Sequence, residues 1–478
     1  MELRELVTAA TGRGSLGALD LVGDPAVAVT AITHDSRRVG PGSLYCCVPG
    51  AVFDGHDFAE AAVAAGAAAL LCERRLAVDV PQLVVPSVRR AMGPLAAAVH
   101  GFPSESLELV GITGTNGKTT IAALLASIAA AAGRPSGVIG TLTGARTTPE
   151  APELQELLAE MASAGRELVA MEVSSHALDL HRVDGCRFRV AVFTNLSQDH
   201  LDHHGTMEAY FAAKARLFGP ELCDLAVLNL DEPHGRLLAD AAQVPYIGYS
   251  LDQAEHLSLS AEGSRFTWRG AVIDLPLPGR FNVANALAAA TAAEALGVPV
   301  DAIARGLAGA GVVDGRFERI DNGQPFLAAV DYAHTPEGLR QLLEAARELA
   351  TGRVIIVFGA GGDRDPGKRP KMGEAAGELA DVVVLTTDNP RGEDPAAIIS
   401  AVQNGMDQPN DLRIEPDRAA AIALAVEESG PGDVLLVAGK GHETTQIIGD
   451  VITEFDDREV LRGALVAAGW SGAGEAGS

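Results

Sequence analysis

The residues best suited to chemistry begin at "LVGITGTNGKTT" (109–120). There an apolar run ends in the turn Gly114-Thr115-Asn116-Gly117, and Lys118, Thr119 and Thr120 open an alanine-rich stretch. Glycines let backbone N–H groups close on phosphate oxygens, and a helix N-terminus adds partial positive charge. Lys118 is then placed to reach the terminal phosphates, and Thr119 to ligate Mg²⁺. The strict GxxxxGK[ST] pattern wants glycine at 112, where this chain has Ile112, with Gly111 one place earlier. An ordinary glycine turn ahead of a helix is the competing account.

The apolar run "LVAMEV" (168–173) carries Glu172 near its tip, where open α/β sheets bind ligands. A hard cation bridging phosphates needs such an oxygen ligand; the alternative is a solvated strand-end carboxylate. Asp199, His200, Asp202, His203 and His204 crowd one segment. Of the histidines, His200 is the candidate ligand, and His203 and His204 read as surface or capping residues. On a helix starting at Met207, the apolar positions Met207, Tyr210, Phe211, Leu217 and Phe218 leave i+7 to Lys214, so a lysine occupies a core position. Either it snorkels to water, or burial disfavours its charged form. A neutral amine can add CO₂ to become a carbamate, an anionic ligand for a second Mg²⁺. Further on, "TTDNPRGEDP" (386–395) puts both signs of charge on one turn after the apolar run "DVVVL". An exposed turn laced with weak charge pairs would look the same.

The elements that must position these residues alternate. "SLYCCV" precedes "DFAEAAVAAGAAALL", "LELVGIT" precedes "TTIAALLASIAAAA", and "RVIIVFG" precedes "PKMGEAAGELA". Strand-like runs followed by helical stretches predict an α/β fold with parallel sheets covered by helices. With 478 residues, 47% of them hydrophobic, the chain has room for about three domains. The turn "HGFPSES" (100–106) and the stretch "GAGVVDGR" (309–316) divide it into 1–106, 107–313 and 314–478. An alanine-rich helix at 283–296 precedes the second break, and the strand "FLAAVDY" follows it. "GAGGDRDPG" (359–367) lacks the spacing of a dinucleotide fingerprint. The tail "GWSGAGEAGS" is expected to fray.

A net charge of −26 speaks against a nucleic-acid-binding surface, which relies on Lys and Arg. The five cysteines, Cys46, Cys47, Cys72, Cys186 and Cys223, form no CxxC pair and read as reduced thiols. "MELRELVTAATGRGS" has no basic n-region followed by an apolar h-region, and no stretch is continuously apolar for the roughly 20 residues of a bilayer crossing. A cytoplasmic protein, without membrane insertion, is expected.

Taken in order, "GTNGKTT", "EVSSHAL", "FTNLSQDHLDHHGTMEAYFAAKARLF", "GRFNVANALAA", "VDYAHTPEGL", "FGAGGDRDPGKRP", "DNPR" and "AGKGHE" resemble the Mur ligases of bacterial cell-wall synthesis, in particular the diaminopimelate-adding branch. The resemblance runs from "THDSRRVGPGSLY" near residue 33 to about residue 460. It implies an N-terminal UDP-binding domain, a central P-loop ATPase-type α/β domain and a C-terminal Rossmann-like domain that binds the incoming amino acid. It implies a monomer whose partners are small molecules: ATP, UDP-MurNAc-dipeptide and meso-diaminopimelate. Thr119, Glu172 and His200 would serve Mg²⁺, and Lys214 would be the family's carbamylated lysine. Lys118, Glu172, His200 and Lys214 would form the catalytic set. The loop from Gly114 to Thr120, with Asn282, Asn285, Arg316, Asp331 and His334, would bind ATP. Ser36, Arg37, Thr147, Thr148, Ser174 and Arg182 would hold the UDP-muramoyl dipeptide. Leu180 departs from a glutamine frequent in the family.

Diaminopimelate carries an amino-acid group at each end, so one end must be recognised while the other reacts. The resemblance assigns this to Arg364, Asp388, Asn389, Pro390, Arg391, Gly439 and Glu443. Arg391 would offer a planar fork to the distant carboxylate, and Asp388 and Glu443 would accept from its ammonium. The implied reaction is ATP-dependent amide ligation through an acyl phosphate, with hinge closure near 313 bringing Arg316 and Asp331 onto the nucleotide. His200 and His334 are the imidazoles available as a base for the attacking amine. The rivals are a sister ligase adding L-lysine or another diamino acid, a folylpolyglutamate synthetase, and a non-catalytic nucleotide-binding scaffold.

Overall fold

The computed structural model describes residues 1–12, 16–50, 52–407 and 411–471. Its architecture is α/β, and three domains are each centred on a sheet. In the first, the strands follow the order 20–22, 82–84, 67–72, 43–46, 31–33, with only the first pair antiparallel. The helices Leu3–Thr11 and Val88–Val99 bury their apolar faces on it.

The central sheet is wholly parallel, in the order 246–249, 226–229, 190–193, 108–113, 168–172, 136–139. Glu108–Thr113 lies in its middle, buried along nearly its whole length, as a strand covered on both faces must be. The helix Lys118–Ala131 that follows is apolar almost all round because it packs between this sheet and the helices Arg280–Ala295 and Val300–Ala308. A three-stranded antiparallel sheet (255–260, 263–268, 271–275) closes that side. The C-terminal sheet runs 318–319, 327–331, 434–438, 354–358, 382–385, 412–414, parallel except at its first edge pair.

Several expectations need correction. The alanine-rich "DFAEAAVAAGAAALL" is not one helix. Ala59–Ala64 is helical, Gly66 turns the chain at φ +104°, and Ala67–Cys72 is a buried strand. A backbone that few side chains tolerate stops the helix, and burial then overrides alanine's helix propensity. The helix expected at 283–296 starts three residues earlier, at Arg280. The helix from Met207 ends at Ala215, so Leu217 and Phe218 reach the core from a following 3₁₀ turn. At the C-terminus Gly469 and Trp470 do not fray. Trp470 packs on the last domain's core, and its carbonyl accepts from Asn322 Nδ2 at 3.3 Å; residues 472–478 lie outside the described residues.

All five cysteines are buried and free. The C-terminal domain also buries an ion pair completely: Arg418 holds both carboxylate oxygens of Asp457 at 2.7 Å and donates to the carbonyls of Thr387 and Ala438. No helix among the described residues is long and apolar enough to cross a membrane.

Candidate functional site

The strand Glu108–Thr113 ends beside a chamber of about 480 Å³. Gly114 and Gly117 bend the intervening turn with positive φ. A Cβ at Gly114 would lie 1.8 Å from Thr194 Oγ1, so only glycine fits there. Lys118 opens the helix and folds back to donate to the carbonyls of Gly114 and Thr115, at 2.9 and 2.8 Å. Thr119 Oγ1 donates to Glu172 Oε2 at 3.0 Å, and Glu172, at the tip of its strand and 1% exposed, also accepts from the Thr141 N–H. Two hard oxygen donors so close, on the wall of a chamber that also holds Lys118, fit Mg²⁺ between phosphates.

Lys214 does not snorkel. It is 1% exposed, its Nζ lies 4.5 Å from the Tyr210 ring centre, and it donates to the Gly114 carbonyl at 2.8 Å. Burial, reinforced by the Lys118 charge, pushes its pKa well below the usual amine range. Lys118 is lowered as well, first by burial, with Glu172 opposing. His200 occupies a left-handed turn at φ 55°, and burial takes its imidazole down to about 3. It is therefore neutral near pH 7, as a metal-ligating imidazole must be.

On the substrate side, Thr148 Oγ1 donates to the Glu172 carbonyl and accepts from the Ser174 N–H. Thr147 Oγ1 meets Thr141 Oγ1 at 3.0 Å, and Arg182 donates to the Thr148 carbonyl and pairs with Glu150. Thr147, Thr148, Ser174 and Arg182 all line the chamber. Ser36 and Arg37 do not. They form a 3₁₀ turn in the first domain, where Arg37 pairs with Asp35, and the adjacent Arg38 bridges to Glu153 and Glu156 of the central domain. Leu180 caps the short helix Ser175–Asp179 and is absent from the chamber wall.

The C-terminal domain closes the chamber. Arg316 reaches across to donate to Thr119 Oγ1 at 3.2 Å and stacks over Tyr332. Asp331 accepts from the N–H groups of Phe317 and Ala333; burial raises its pKa against the pull of Arg316. Arg364 and His334 line the chamber too. Beside it, a cavity of about 300 Å³ is walled by Asn116, Gly117, Asn285 and Tyr249. Asn282 does not reach that wall. It is buried, donates to the Pro278 carbonyl, and accepts from Asn285, which it orients. Thr120 and Asp331 line a smaller pocket between the two. Among the described residues, the buried donors Asn116 Nδ2 and Arg316 Nε find no hydrogen-bond partner, and both residues line the chamber.

The sequence reading passed over the network that ties these domains. Asp199 meets His200 at 3.2 Å, Lys368 at 3.5 Å and His334 at 3.7 Å. Burial alone would raise its pKa, but His334 and Lys368 hold it well below the carboxylate range. Gln198 donates to Asp365 and accepts from Lys371. Lys368 stands in "FGAGGDRDPGKRP", but nothing in its type or spacing marks it as the partner of Asp199.

A second cluster forms around the charged turn. Asn389 Nδ2 donates to Glu443 Oε2 at 2.8 Å, and the fully buried Lys440 donates to Asn389, Glu443 and the Thr445 carbonyl. Gly439 abuts the Asp388 carboxylate. Arg391, at φ 51°, donates to the Gly362 carbonyl at 2.7 Å and bridges Ile448; Pro390 precedes it. Arg391 lies one layer behind the chamber wall, near Arg364 across Gly361.

Comparison with known proteins places this geometry. Residues 28–100 match the model of the Mur ligase family catalytic domain, 112–293 that of the Mur ligase middle domain, and 315–441 that of the Mur ligase glutamate ligase domain. The chain is 46% identical to the UDP-N-acetylmuramoyl-L-alanyl-D-glutamate–2,6-diaminopimelate ligase of Geobacillus kaustophilus, over 92% of this chain and 96% of that one. It is also 46% identical to the ligase of the same name from Streptomyces coelicolor, over 92% and 93%. A solved structure of a ligase of that name superposes with a TM-score of 0.69 at 34% identity, covering 98% of this chain and 99% of the other.

Proposed function

The chain belongs to the Mur ligase family, and from that membership we propose that it adds 2,6-diaminopimelate to UDP-N-acetylmuramoyl-L-alanyl-D-glutamate, driven by ATP. One observation carries this reading. Lys118, Glu172 and the buried Lys214 amine share a single chamber with Arg316, His334 and Arg364 of the C-terminal domain.

We divide the chain into domains 1–106, 107–313 and 314–478 for the UDP end, the nucleotide and the incoming amino acid. The D-glutamyl γ-carboxylate attacks the γ-phosphoryl group of ATP, displacing ADP and forming an acyl phosphate, and the Lys118 ammonium and Arg316 guanidinium stabilise the charge that spreads over the transferring oxygens. Mg²⁺, which when bound neutralises charge between the phosphates, would be held by Thr119 and Glu172 with His200. Lys214, whose charged form burial disfavours, would take up CO₂ with loss of a proton, and the carbamate so formed would be an anionic ligand for a second Mg²⁺. Asn285 contacts the nucleotide base, with Asn282 behind it. Thr147, Thr148, Ser174 and Arg182 hold the dipeptide, and Ser36 and Arg37 the uridine end.

The amine of diaminopimelate then attacks the carbonyl carbon of that acyl phosphate, loses a proton, and the tetrahedral intermediate expels inorganic phosphate to leave the amide. His334 is the imidazole placed to act as the base. Its Nδ1 is oriented by the Tyr332 carbonyl, and Asp199 stands by to stabilise the protonated ring. His200, held down to about 3, accepts protons too weakly. Arg391 and Arg364 receive the distant carboxylate, while Asp388 and Glu443 receive the ammonium, steadied by Asn389. The enzyme works as a monomer in the cytoplasm.

Phosphate release from ATP by the purified protein with the UDP-muramoyl dipeptide tests this directly, offering meso-diaminopimelate, L-lysine and L-glutamate in turn. Release with diaminopimelate alone is expected. Equal release with lysine would remove the basis for Arg391's role, and failure of every amino acid to elicit phosphate would return the chain to the scaffold class.

A further inference from the structure

Next to the chamber, two short helices bring together a set of metal-ligating side chains that ligation does not use. Asp179 ends the helix Ser175–Asp179, and His203 and His204 end the helix Leu201–His204. One ligand atom from each of these three residues lies within 4.8 Å of the other two. His203 Nε2 is 2.9 Å from Asp179 Oδ2, and His204 Nε2 is 2.9 Å from Ser175 Oγ. A third imidazole, His176, packs on His203 with ring centres 4.2 Å apart. Asp179 and His203 are exposed and His204 is half-buried, so a cation reaches them without opening the core.

We propose that Asp179, His203 and His204 form a binding site for a late first-row divalent cation of the Zn²⁺ class, distinct from the Mg²⁺ position at Thr119 and Glu172. Two imidazoles and one carboxylate match the ligand set of an open Zn²⁺ site, with a fourth position for water. Mg²⁺ prefers an octahedron of oxygens and competes poorly there. Zinc bonds of about 2.0–2.2 Å put tetrahedral ligand atoms roughly 3.3 Å apart. Rotation of exposed side chains closes the remaining distance. His200 and His176 lie on these same two segments and line the chamber. A cation linking the segments would therefore fix that wall and slow turnover.

The test titrates the full chain with Zn²⁺ against a chromogenic chelator, with excess Mg²⁺ present, and compares wild type with His203→Gln and Asp179→Asn. Both substitutions are at exposed positions, and melting curves check that the variants fold. Wild type should hold one Zn²⁺ per chain, with affinity falling roughly 10–100-fold or more in either variant, a loss that even outer partners of metal sites can produce. Electron paramagnetic resonance of the Cu²⁺-loaded protein should show two coordinating imidazole nitrogens in wild type and one in His203→Gln. Zn²⁺ should slow phosphate release by wild type and leave the variants, equally active with Mg²⁺ alone, unaffected. Zn²⁺ held equally by all three proteins, no Zn²⁺ held by wild type, or displacement of Zn²⁺ by Mg²⁺ would each overturn the assignment. Binding and spectra are read without turnover, so failure here is distinguishable from failure of the ligase reading.

Discussion

Among the described residues Lys214 forms no ion pair with an acid; a carbonyl and an aromatic ring line its nitrogen, the Lys118 charge disfavours its own, and the Asp199 carboxylate opposes that more weakly. A lysine kept only for packing would be replaceable by methionine, whereas one kept for its nitrogen would not. Lys214→Met should lower phosphate release by a factor on the order of 10²–10³, the scale of losing one preorganised charge-stabilising group. Lys214→Ala should regain part of its activity with short-chain carboxylic acids. Turnover unchanged in Lys214→Met would make the side chain a packing element. Arg391→Ala should raise KM for diaminopimelate by roughly 10–100-fold, equivalent to about 1.5–3 kcal/mol for a hydrogen bond to a charged group, with KM for ATP unmoved. Titration adds a further expectation. Burial holds His176 and His442 at about 4, against 6.5 for free histidine. As pH falls below 6.5 the unfolded chain takes up protons that the native rings refuse, so stability is full above 6.5 and declines toward pH 4. Melting temperatures across that window should fall; a flat profile would show that the rings titrate normally. Lys118, Glu172 and Lys214 stood out as candidates by type and spacing, but spacing alone left Glu172 between ligand and solvated carboxylate and Lys214 between burial and snorkelling. Asn282 and Asn285 did not separate, because their three-residue spacing cannot say which amide faces a cavity and which stands behind it.

At the scale of elements, the buried Arg418–Asp457 pair fixes the ends of the strands that lead into the charged turn and into Gly439. Arg418 grips the Thr387 and Ala438 carbonyls while neutralised by Asp457 on the last helix. Breaking it from one side leaves a buried charge uncompensated. Arg418→Met should cost the C-terminal domain about 3–5 kcal/mol, seen as an earlier transition in chemical denaturation, and adding Asp457→Leu should recover much of it. If the single variant unfolds like wild type, the pair does not brace the site. Strand and helix alternation was readable because apolar runs and alanine-rich stretches differ in period. The reading failed at Ala67–Cys72, where composition favours helix and only Gly66 and burial decide for strand.

Across the whole molecule, the central and C-terminal domains meet through Arg316 and Thr119, Gln198 and Asp365, and Asp199 with Lys368. Pairs separated by more than a hundred residues leave no periodic trace, so this network could not be read from spacing. Lys368→Met would leave Asp199 without its buried cation and favour separation of the two domains. Small-angle scattering of the nucleotide-free variant should give a larger radius of gyration than wild type, and an identical value would show that other contacts suffice for closure. The sheets were foreseeable domain by domain, and their mutual placement was not.

The five cysteines seen in the fold lead somewhere else. Each thiol is sealed in a core, and burial pushes Cys47, Cys186 and Cys223 up to about 12 and Cys72 up to about 11. Thiolate, the species that attacks electrophiles, is then almost missing from the native molecule. Alkylating inhibitors find no handle on this protein while it is intact, and the speed at which a thiol reagent marks it becomes a stopwatch for breathing of the cores.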